Sequence, residues 1–196
     1  MRLFHAPNTC SQAVYSVITE LGIKCEIVKV DFANKTELLK FNPLGRVPTL
    51  VLDDGKVLTE VAAILQYLAD TKPEMNLIPK AGTWERAKTI ELMNYVATDL
   101  HKGIGALFNK DMPEAGKTVI KTSVHRHLAF LNTHLETNKF LAASQFTIAD
   151  AYCYTIVGWT KFVGVDMAAY PNVLGYCERI GMRPAIAKVI QADNAK

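Results

Sequence analysis

No stretch of this sequence is apolar for long enough to cross a membrane. The longest apolar runs, such as residues 47–52 and 61–65, are far shorter than the roughly 18 to 20 residues that a transmembrane helix needs. The sequence starts Met-Arg-Leu-Phe-His-Ala-Pro and also lacks the apolar core and cleavage site of a secretory signal peptide. We therefore expect a soluble protein with a cytoplasmic location.

Charge of one sign is never concentrated along the chain. The 22 basic and 19 acidic residues are interspersed, and the formal net charge is only +3. Proteins that bind nucleic acid or anionic membranes typically carry basic blocks or patches. The sequence therefore predicts neither a nucleic-acid partner nor a membrane partner.

Cysteine is scarce, and its spacing excludes two kinds of site. The four cysteines are Cys10, Cys25, Cys153 and Cys177. Their separations along the chain suit neither a zinc site nor a dense set of disulfides. We expect reduced thiols whose roles depend on their surroundings. Ala13 stands where the second cysteine of a CxxC pair would be, so a dithiol mechanism of thioredoxin type is excluded. A monothiol mechanism stays open.

Strand and helix patterns alternate over the first 70 residues. Residues 2–5 and 25–32 have strand patterns and flank a segment of helical spacing that Gly22 closes. Two strands joined through a helix are predicted to be parallel, as in a βαβ unit. A short helix is expected at residues 36–40.

A hairpin and another helix are predicted next. Residues 49–52 and 56–58 flank Asp53-Asp54-Gly55, and an Asp-Gly pair tolerates the positive φ angles of a tight turn. Thr59 is expected to cap the helix that follows. The order βαβ and then ββα predicts an α/β, thioredoxin-like N-terminal domain.

The pattern changes after residue 70. Prolines and a glycine interrupt residues 71–82, which predicts a linker. All later segments have helical periodicity, at residues 84–108, 113–137, 147–162, 171–180 and 184–191. We therefore expect a thioredoxin-like domain at residues 1–75 and an all-α helical-bundle domain at residues 83–196.

Cys10 is the first candidate for a reactive group. It follows a strand and the Pro7-Asn8-Thr9 turn and stands in the first turn of a helix. Unsatisfied N–H groups and the helix dipole favour a thiolate at such a position. The alternative is a buried structural cysteine, which is our interpretation of the other three. Ser11 competes as a nucleophile or hydrogen-bond donor, and an N-terminal helix cap explains it at least as well.

Two further segments indicate recognition of a peptide-like ligand. If the Val47-Pro48 bond is cis, the backbone of Val47 is free to pair with an extended ligand. Glu60 can accept a ligand ammonium group while N–H groups near Val61 hold a carboxylate. The alternatives are a trans proline at a strand edge and a glutamate that only interacts with the helix dipole.

Polar residues of the helical region give weaker signals. Asn94 and His101 are seven residues apart and are expected on one face of a long helix, although a solvated polar face explains them more simply. The histidines of residues 125–134 have no acidic partner at metal-binding spacing, so we expect them at the surface and predict no metal site. Residues 147–150 match a capping box.

Five segments, in order along nearly the whole chain, resemble one known family. They are residues 42–50 (NPLGRVPTL), 58–60 (LTE), 64–70 (ILQYLAD), 99–103 (DLHKG) and 146–152 (FTIADAY). The chain resembles the glutathione S-transferases. Within this family the chain is most similar to the bacterial beta class, because of Cys10 with Ser11 and His101 with Lys102.

This resemblance implies a glutathione site. Val47 beside a cis Pro48 would pair with the cysteinyl part of glutathione, and Glu60 would hold its γ-glutamyl end with the N–H of Val61. Cys10 would face the glutathione sulfur. The resemblance places three further residues at the site from the helical domain, His101, Lys102 and, through the partner subunit of a homodimer, Asn94.

Two departures from the family pattern concern ligand contacts. Family members often have serine after the glutamate, whereas Val61 offers only its backbone N–H, so weaker glutathione binding is expected. Residues 36–41 look shorter than the corresponding segment of relatives. This difference affects any ligand contact from Lys35, which stands directly before them.

We expect an enzyme that conjugates glutathione, its co-substrate, to hydrophobic electrophiles in detoxification. Glutathione-dependent thiol exchange through Cys10 is a related activity of the same site. The alternative is a non-catalytic protein that binds glutathione or another ligand, or regulates a partner, on the same fold.

Overall fold

The computed structural model describes residues 1–195, and their contacts divide them into two units. One unit comprises Met1–Ile78 together with the chain from Met182 onward, and the other comprises Pro79–Gly181. The last helix was predicted in the helical domain, whereas its contacts in the structure are with the first unit. The predicted domain boundaries themselves stay a prediction.

Four short strands form the sheet of the first unit. They are β1 (Arg2–His5), β2 (Glu26–Lys29), β3 (Thr49–Val51) and β4 (Val57–Thr59), in the order β2-β1-β3-β4. β1 pairs with β2 in parallel, and the β1–β3 and β3–β4 pairs are antiparallel. Gly55 adopts φ +82° in the turn between β3 and β4. The predicted βαβ-ββα order is confirmed.

The helices match the predicted segments closely. They are α1 (Ser11–Glu20), α2 (Thr36–Leu39), α3 (Val61–Asp70), α4 (Trp84–Tyr95), α5 (Lys102–Ala106), α6 (Glu114–Thr137), α7 (Ile148–Val157), α8 (Pro171–Gly181) and α9 (Pro184–Asn194). Short 3-10 turns occupy Pro73–Met75 and Gly158–Phe162, and a π-helix, Val96–His101, joins α4 to α5. Within residues 1–195, no helix is both long and apolar enough to cross a membrane.

α1 is the central helix of the first unit, since it contacts both α3 and α9. Its residues Ala13, Val14 and Val17 are fully buried. α9 contributes the buried Ile186 and Val189. Burying one such side chain stabilises a fold by about 1.5–3 kcal/mol, so the apolar face of α9 explains its place on this unit.

One predicted helix start was wrong. Thr59 is the last residue of β4, and the N-cap of α3 is Glu60, which has φ +68° and makes no side-chain cap hydrogen bond. The end of α1 was predicted correctly, because Gly22 follows it with φ +60°.

α7 is the central helix of the second unit. Nine of its residues are buried, and it contacts α4, α8 and the π-helix. A helix that is apolar on all sides is typical of the core of a helical bundle. This arrangement confirms the prediction of an all-helical region.

The start of α7 has the predicted capping box. The Asp150 carboxylate is fully buried and accepts hydrogen bonds from the Thr147 N–H (2.8 Å), the Leu141 N–H (2.8 Å), the Thr147 hydroxyl (3.0 Å) and the Tyr176 hydroxyl (3.1 Å). Burial raises the pKa of Asp150 above its usual range, although these hydrogen bonds oppose that shift. The carboxylate thus connects α7 to α8 and to the loop before α7.

Replacing Thr147 with alanine should destabilise the protein. Thr147→Ala removes a hydroxyl that binds the buried Asp150, and loss of a cap residue typically lowers the free energy of unfolding by about 0.5–2 kcal/mol. Urea denaturation measures this change. The matched control is Thr118→Ala, because the exposed Thr118 hydroxyl bonds only to the Glu114 carbonyl of its own helix. Equal stability of Thr147→Ala and the parent protein would contradict the capping role.

Candidate active site

The ends of three strands meet at one edge of the sheet. Thr49 lies opposite Phe4 of β1 and opposite Thr59 of β4. The chain therefore leaves β1, enters β3 and leaves β4 at the same edge. This register places three predicted site segments at that edge, residues 6–11, 47–48 and 60–61.

Cys10 lies at the N-cap position of α1, with φ −61° and ψ −19°, and is half-buried. Its thiol donates to the Val47 carbonyl over 3.5 Å, so the structure brings these two predicted site residues together. Backbone N–H groups at a helix start stabilise a negative charge. These N–H groups favour a thiolate, whereas the Val47 carbonyl accepts from the neutral thiol, and the reactivity of Cys10 stays a prediction.

The other cysteines have environments that favour the neutral thiol. Burial raises the pKa of Cys25 to about 11 and that of Cys177 to about 12. Burial also raises the pKa of Cys153, which is fully enclosed, well above its usual range. A neutral thiol is a poor nucleophile, so these three residues have little reactivity near neutral pH.

Ser11 is the first residue of α1, not its cap, and its side chain is fully buried. Its hydroxyl lies 2.7 Å from His5 Nδ1 and 2.6 Å from Thr9 Oγ1, and it accepts the Ala6 N–H over 3.2 Å. A hydroxyl enclosed by these partners is not presented to a ligand. The geometry does not fit either the N-cap role or the prediction that Ser11 acts directly on a substrate.

The Val47-Pro48 bond is cis. Among residues 1–195, the Val47 N–H has no hydrogen-bond partner, so it is available to a ligand. Asn42 holds the loop before it, because its side chain donates to the Arg46 carbonyl and to Thr49 Oγ1, each over 3.0 Å. A turn was predicted here, but the role of the Asn42 side chain was not.

Glu60 and Val61 stand at the start of α3. Glu60 is exposed, and its positive φ is uncommon for a residue with a side chain and costs on the order of 1–3 kcal/mol. Glu60 makes no side-chain cap hydrogen bond, while Val61 is buried and begins α3. Backbone strain of this kind clusters at ligand sites, which supports a binding role for Glu60.

Lys35 is the residue before α2, a helix of four residues. Its ammonium group stands 5.0 Å from the centre of the Phe32 ring. The same side chain packs beside Gly45 of the Asn42 loop. Lys35 is therefore close to the loop that carries Val47.

His101 lies in the second unit, at the end of the π-helix. Its Nδ1 is 2.6 Å from the Tyr152 hydroxyl, and its ring packs edge-on against Trp159 with 5.1 Å between the ring centres. Burial, assisted by the charge of neighbouring Lys102, lowers the pKa of His101 from 6.5 to about 4. His101 is therefore neutral at physiological pH and does not serve as a cation.

The π-helix changes the relation between Asn94 and His101. A π-helical turn contains one residue more than an α-helical turn, because its hydrogen bonds run from i to i+5. Seven residues therefore no longer make two whole turns, and the prediction of a shared helix face was wrong. Asn94 and Lys102 are exposed, whereas His101 is half-buried.

The histidines of α6 were predicted at the surface but each is half-buried with a polar partner. His125 lies 2.9 Å from the Tyr170 hydroxyl, His127 lies 3.7 Å from Asp99, and His134 lies 2.8 Å from the Leu141 carbonyl. Across residues 1–195, no group of three or more His, Cys, Asp or Glu side chains is arranged to hold a metal ion.

Two family models match this chain over more than half its length. The model for the glutathione S-transferase N-terminal domain matches residues 9–71, and the model for the C-terminal domain matches residues 109–179. The chain belongs to the glutathione S-transferase family. This membership confirms the resemblance inferred from the five sequence motifs.

Two relatives align over all or nearly all of the chain. The glutathione S-transferase GstA of Escherichia coli O157:H7 is 36% identical over 201 residues and covers 100% of both chains. The disulfide-bond oxidoreductase YfcG of Escherichia coli K12 is 28% identical, over 96% of this chain and 93% of that protein.

Solved glutathione S-transferase structures have the same fold. A sphingomonad glutathione S-transferase complexed with glutathione has a TM-score of 0.96 at 36% identity and covers 100% of both chains. The bacterial beta-class enzyme of Sphingomonas chungbukensis has a TM-score of 0.95 at 38% identity over 99% of both chains. The comparisons therefore support a glutathione S-transferase enzyme over the non-catalytic alternative.

The lowered pKa of His101 predicts that the stability of the folded protein decreases in acid. Because its pKa is lower than the usual 6.5, the unfolded chain binds a proton more readily than the folded one between about pH 6.5 and pH 4. Stability should fall as the pH decreases through this window. NMR titration of the histidine rings, with His101→Gln to assign the signal, should give a midpoint near pH 4. A midpoint at or above 6.5 would show that burial does not control this group.

Proposed function

We propose that this glutathione S-transferase conjugates glutathione to hydrophobic electrophiles, with Cys10 facing the glutathione sulfur. The observation that carries the proposal is the Cys10 thiol at the start of α1, 3.5 Å from the Val47 carbonyl. A ligand paired with the backbone of Val47 would have its own cysteinyl group beside Cys10. The electrophile would approach from the open side of that sulfur.

The proposed site holds glutathione by its two ends. The Val47 N–H would donate to a carbonyl of the extended tripeptide. At the same edge of the sheet, the exposed Glu60 would accept the ammonium of the γ-glutamyl group, and the Val61 N–H at the start of α3 would donate to its carboxylate. The ten residues of α3 give this helix start a dipole that favours the anion.

In conjugation, the glutathione thiol gives up its proton to solvent, and the thiolate attacks the electrophilic carbon. A carbon–sulfur bond forms while the bond from that carbon to its leaving group breaks, and the leaving group departs with the electron pair. The reaction needs a bound thiolate held close to the electrophile, and positioning alone removes a large part of the barrier. The N–H groups at the start of α1 would stabilise the developing or bound thiolate by about 0.3–1 kcal/mol. We assign the roles of His101, Lys102, Asn94 and Lys35 only on the resemblance, and the neutral His101 would bring no charge to such a role.

Thiol exchange is a second activity that the site supports. The Cys10 thiolate would attack one sulfur of glutathione disulfide, a mixed disulfide would form on Cys10, and glutathione thiolate would leave. The raised pKa values of Cys25, Cys153 and Cys177 leave Cys10 as the thiol best suited to this reaction. One relative carries the name disulfide-bond oxidoreductase.

Incubation with glutathione disulfide should add one glutathionyl group to the protein. Intact-mass spectrometry should show that this adduct is lost in Cys10→Ala and retained in Cys25→Ala, the matched control. Turnover of a generic electrophile is measured on the same variants. An adduct of equal yield in Cys10→Ala would place the reactive thiol elsewhere. Loss of the adduct with full conjugating activity would assign Cys10 to exchange or binding alone.

We also propose a homodimer in the cytoplasm. Asn94 of α4 is exposed, and the neighbouring Tyr95 contacts the half-exposed Phe130 of α6, with 5.3 Å between the ring centres. Aromatic side chains are enriched in the cores of subunit interfaces, which polar residues surround. A two-fold interface is the commonest arrangement of such chains.

Light scattering at micromolar concentration should give about twice the 21.7 kDa mass of one chain. Phe130→Asp should shift the mass toward that of the single chain, because it places a charge on the proposed interface. Leu174→Asp is the control, since Leu174 has a similar exposure on α8, 42% against 53% for Phe130. A parent mass near 21.7 kDa would exclude the dimer.

A further inference from the structure

Two buried side chains hold the backbone carbonyl of Arg46, and the proposed reaction uses neither of them. The Asn42 carboxamide donates to this carbonyl over 3.0 Å, and the Thr49 hydroxyl donates to it over 2.8 Å. Asn42 is 5% exposed and Thr49 is fully buried. Arg46 itself is exposed, so its carbonyl is held from the buried side of the loop.

The donors and acceptors of this group match one another. Asn42 Oδ1 accepts the Leu44 N–H over 3.1 Å, and this contact distinguishes the oxygen of the carboxamide from its nitrogen, because an N–H group can only donate. The Asn42 nitrogen then has two protons, one for the Arg46 carbonyl and one for Thr49 Oγ1 at 3.0 Å. The Thr49 hydroxyl proton goes to the Arg46 carbonyl. Each contact of this triangle therefore has its own proton.

The triangle is tied to the sheet and closes the loop. Thr49 begins β3 and is opposite both Phe4 and Thr59, so its backbone is fixed by two neighbouring strands. On the other side of the loop, the Gly45 N–H donates to the Asn42 carbonyl over 2.9 Å, and Gly45 has φ +58°. The Arg46 carbonyl is therefore held by groups that precede and follow it in the chain.

The peptide group that contains this carbonyl also contains the Val47 N–H. This peptide group is trans, so its C=O and N–H point in opposite directions, and it is planar to within about 10–15°. Fixing the Arg46 carbonyl therefore fixes the direction of the Val47 N–H. Hydrogen bonds that a carbonyl accepts also polarise its peptide group, which makes the N–H a stronger donor.

We propose that Asn42 and Thr49 are positioning residues for glutathione, because they orient and polarise the Val47 N–H through the Arg46 carbonyl. The inference rests on the proposed pairing of Val47 with the tripeptide. Every side-chain proton that Asn42 and Thr49 can donate is already used within the loop. Both residues thus act through the peptide group and not through a donor contact of their own with the ligand.

A second buried threonine provides a matched control. Thr89 of α4 is also fully buried, and its hydroxyl donates over 2.8 Å to the Glu85 carbonyl of the same helix. The burial and the bond length equal those of Thr49, but the acceptor carbonyl belongs to a helix of the second unit. Thr89→Val therefore reports what the loss of a buried hydroxyl does by itself.

The experiment compares Thr49→Val with Thr89→Val in the full-length protein. Valine keeps the branched shape and favours strands, so β3 should still form. Calorimetric titration should show that the Kd for glutathione rises roughly tenfold in Thr49→Val, as expected when one polar contact is misaligned. In turnover of a generic electrophile, KM for glutathione should rise by a similar factor with kcat little changed, because the lost contact is a binding contact. Thr89→Val should keep the parent values, and Thr49→Ser, which keeps the hydroxyl, should recover most of the affinity.

A second variant removes the other donor. Asn42→Asp keeps the size of the side chain and the oxygen that accepts the Leu44 N–H, but it has no proton for the Arg46 carbonyl. It should weaken glutathione binding in the same direction. The matched control is Asn138→Asp, because the exposed Asn138 carboxamide also donates to a backbone carbonyl, that of His134, within the second unit.

Amide NMR tests the arrangement in the parent protein without any variant. Both protons of the Asn42 carboxamide should exchange slowly with solvent, and the Val47 N–H should exchange fast and become protected when glutathione is added. Fast exchange of both Asn42 protons would overturn the proposal, even if the variants fail to fold. A glutathione affinity of Thr49→Val equal to that of Thr89→Val would also overturn it. A parent protein that does not bind glutathione, or whose Val47 N–H does not respond to it, would instead refute the proposed function.

Discussion

The register of the sheet is the constraint on which the rest of the site depends. Thr49 is opposite both Phe4 and Thr59, so the chain passes the same edge of the sheet three times. Each passage leaves backbone hydrogen-bonding groups outside the hydrogen-bond ladder of the sheet. These groups lie at the start of α1, before β3 and at the start of α3. A slip of one residue would turn the buried Leu3 and Leu50 toward the other face. The core therefore fixes the register, and the register assembles the site.

Local sequence patterns were enough to predict most of the fold. The Asp-Gly turn, Gly22 after α1 and the capping box before α7 each depend on residues close together in the chain. The position of Cys10 at a helix start was predicted in the same way, because a helix start is a local feature. The prediction of Thr59 as the N-cap of α3 was wrong for a local reason as well. The true N-cap, Glu60, has a positive φ that nothing in the sequence indicates.

The parts that could not be predicted depend on distant or non-standard geometry. His5 and Asp193 are 188 positions apart, and nothing near either residue shows that they meet. The π-helix was missed because its amino acids fit an ordinary α-helix, and it alone changed the placement of Asn94 relative to His101. The membership of α9 in the first unit depends on which apolar surface covers Ile186 and Val189, and a periodic pattern does not contain that information.

The position of α9 affects the order in which this chain can fold during synthesis. α1 leaves the ribosome before the helical unit, but α9, the helix that covers one of its faces, is made after that unit. Residues 79–181 form a contiguous unit and can fold while translation continues. The first unit, although it begins at the amino end, has an exposed apolar surface on α1 until residues 184–194 are released. The amino-terminal half of this protein is therefore completed after the helical one.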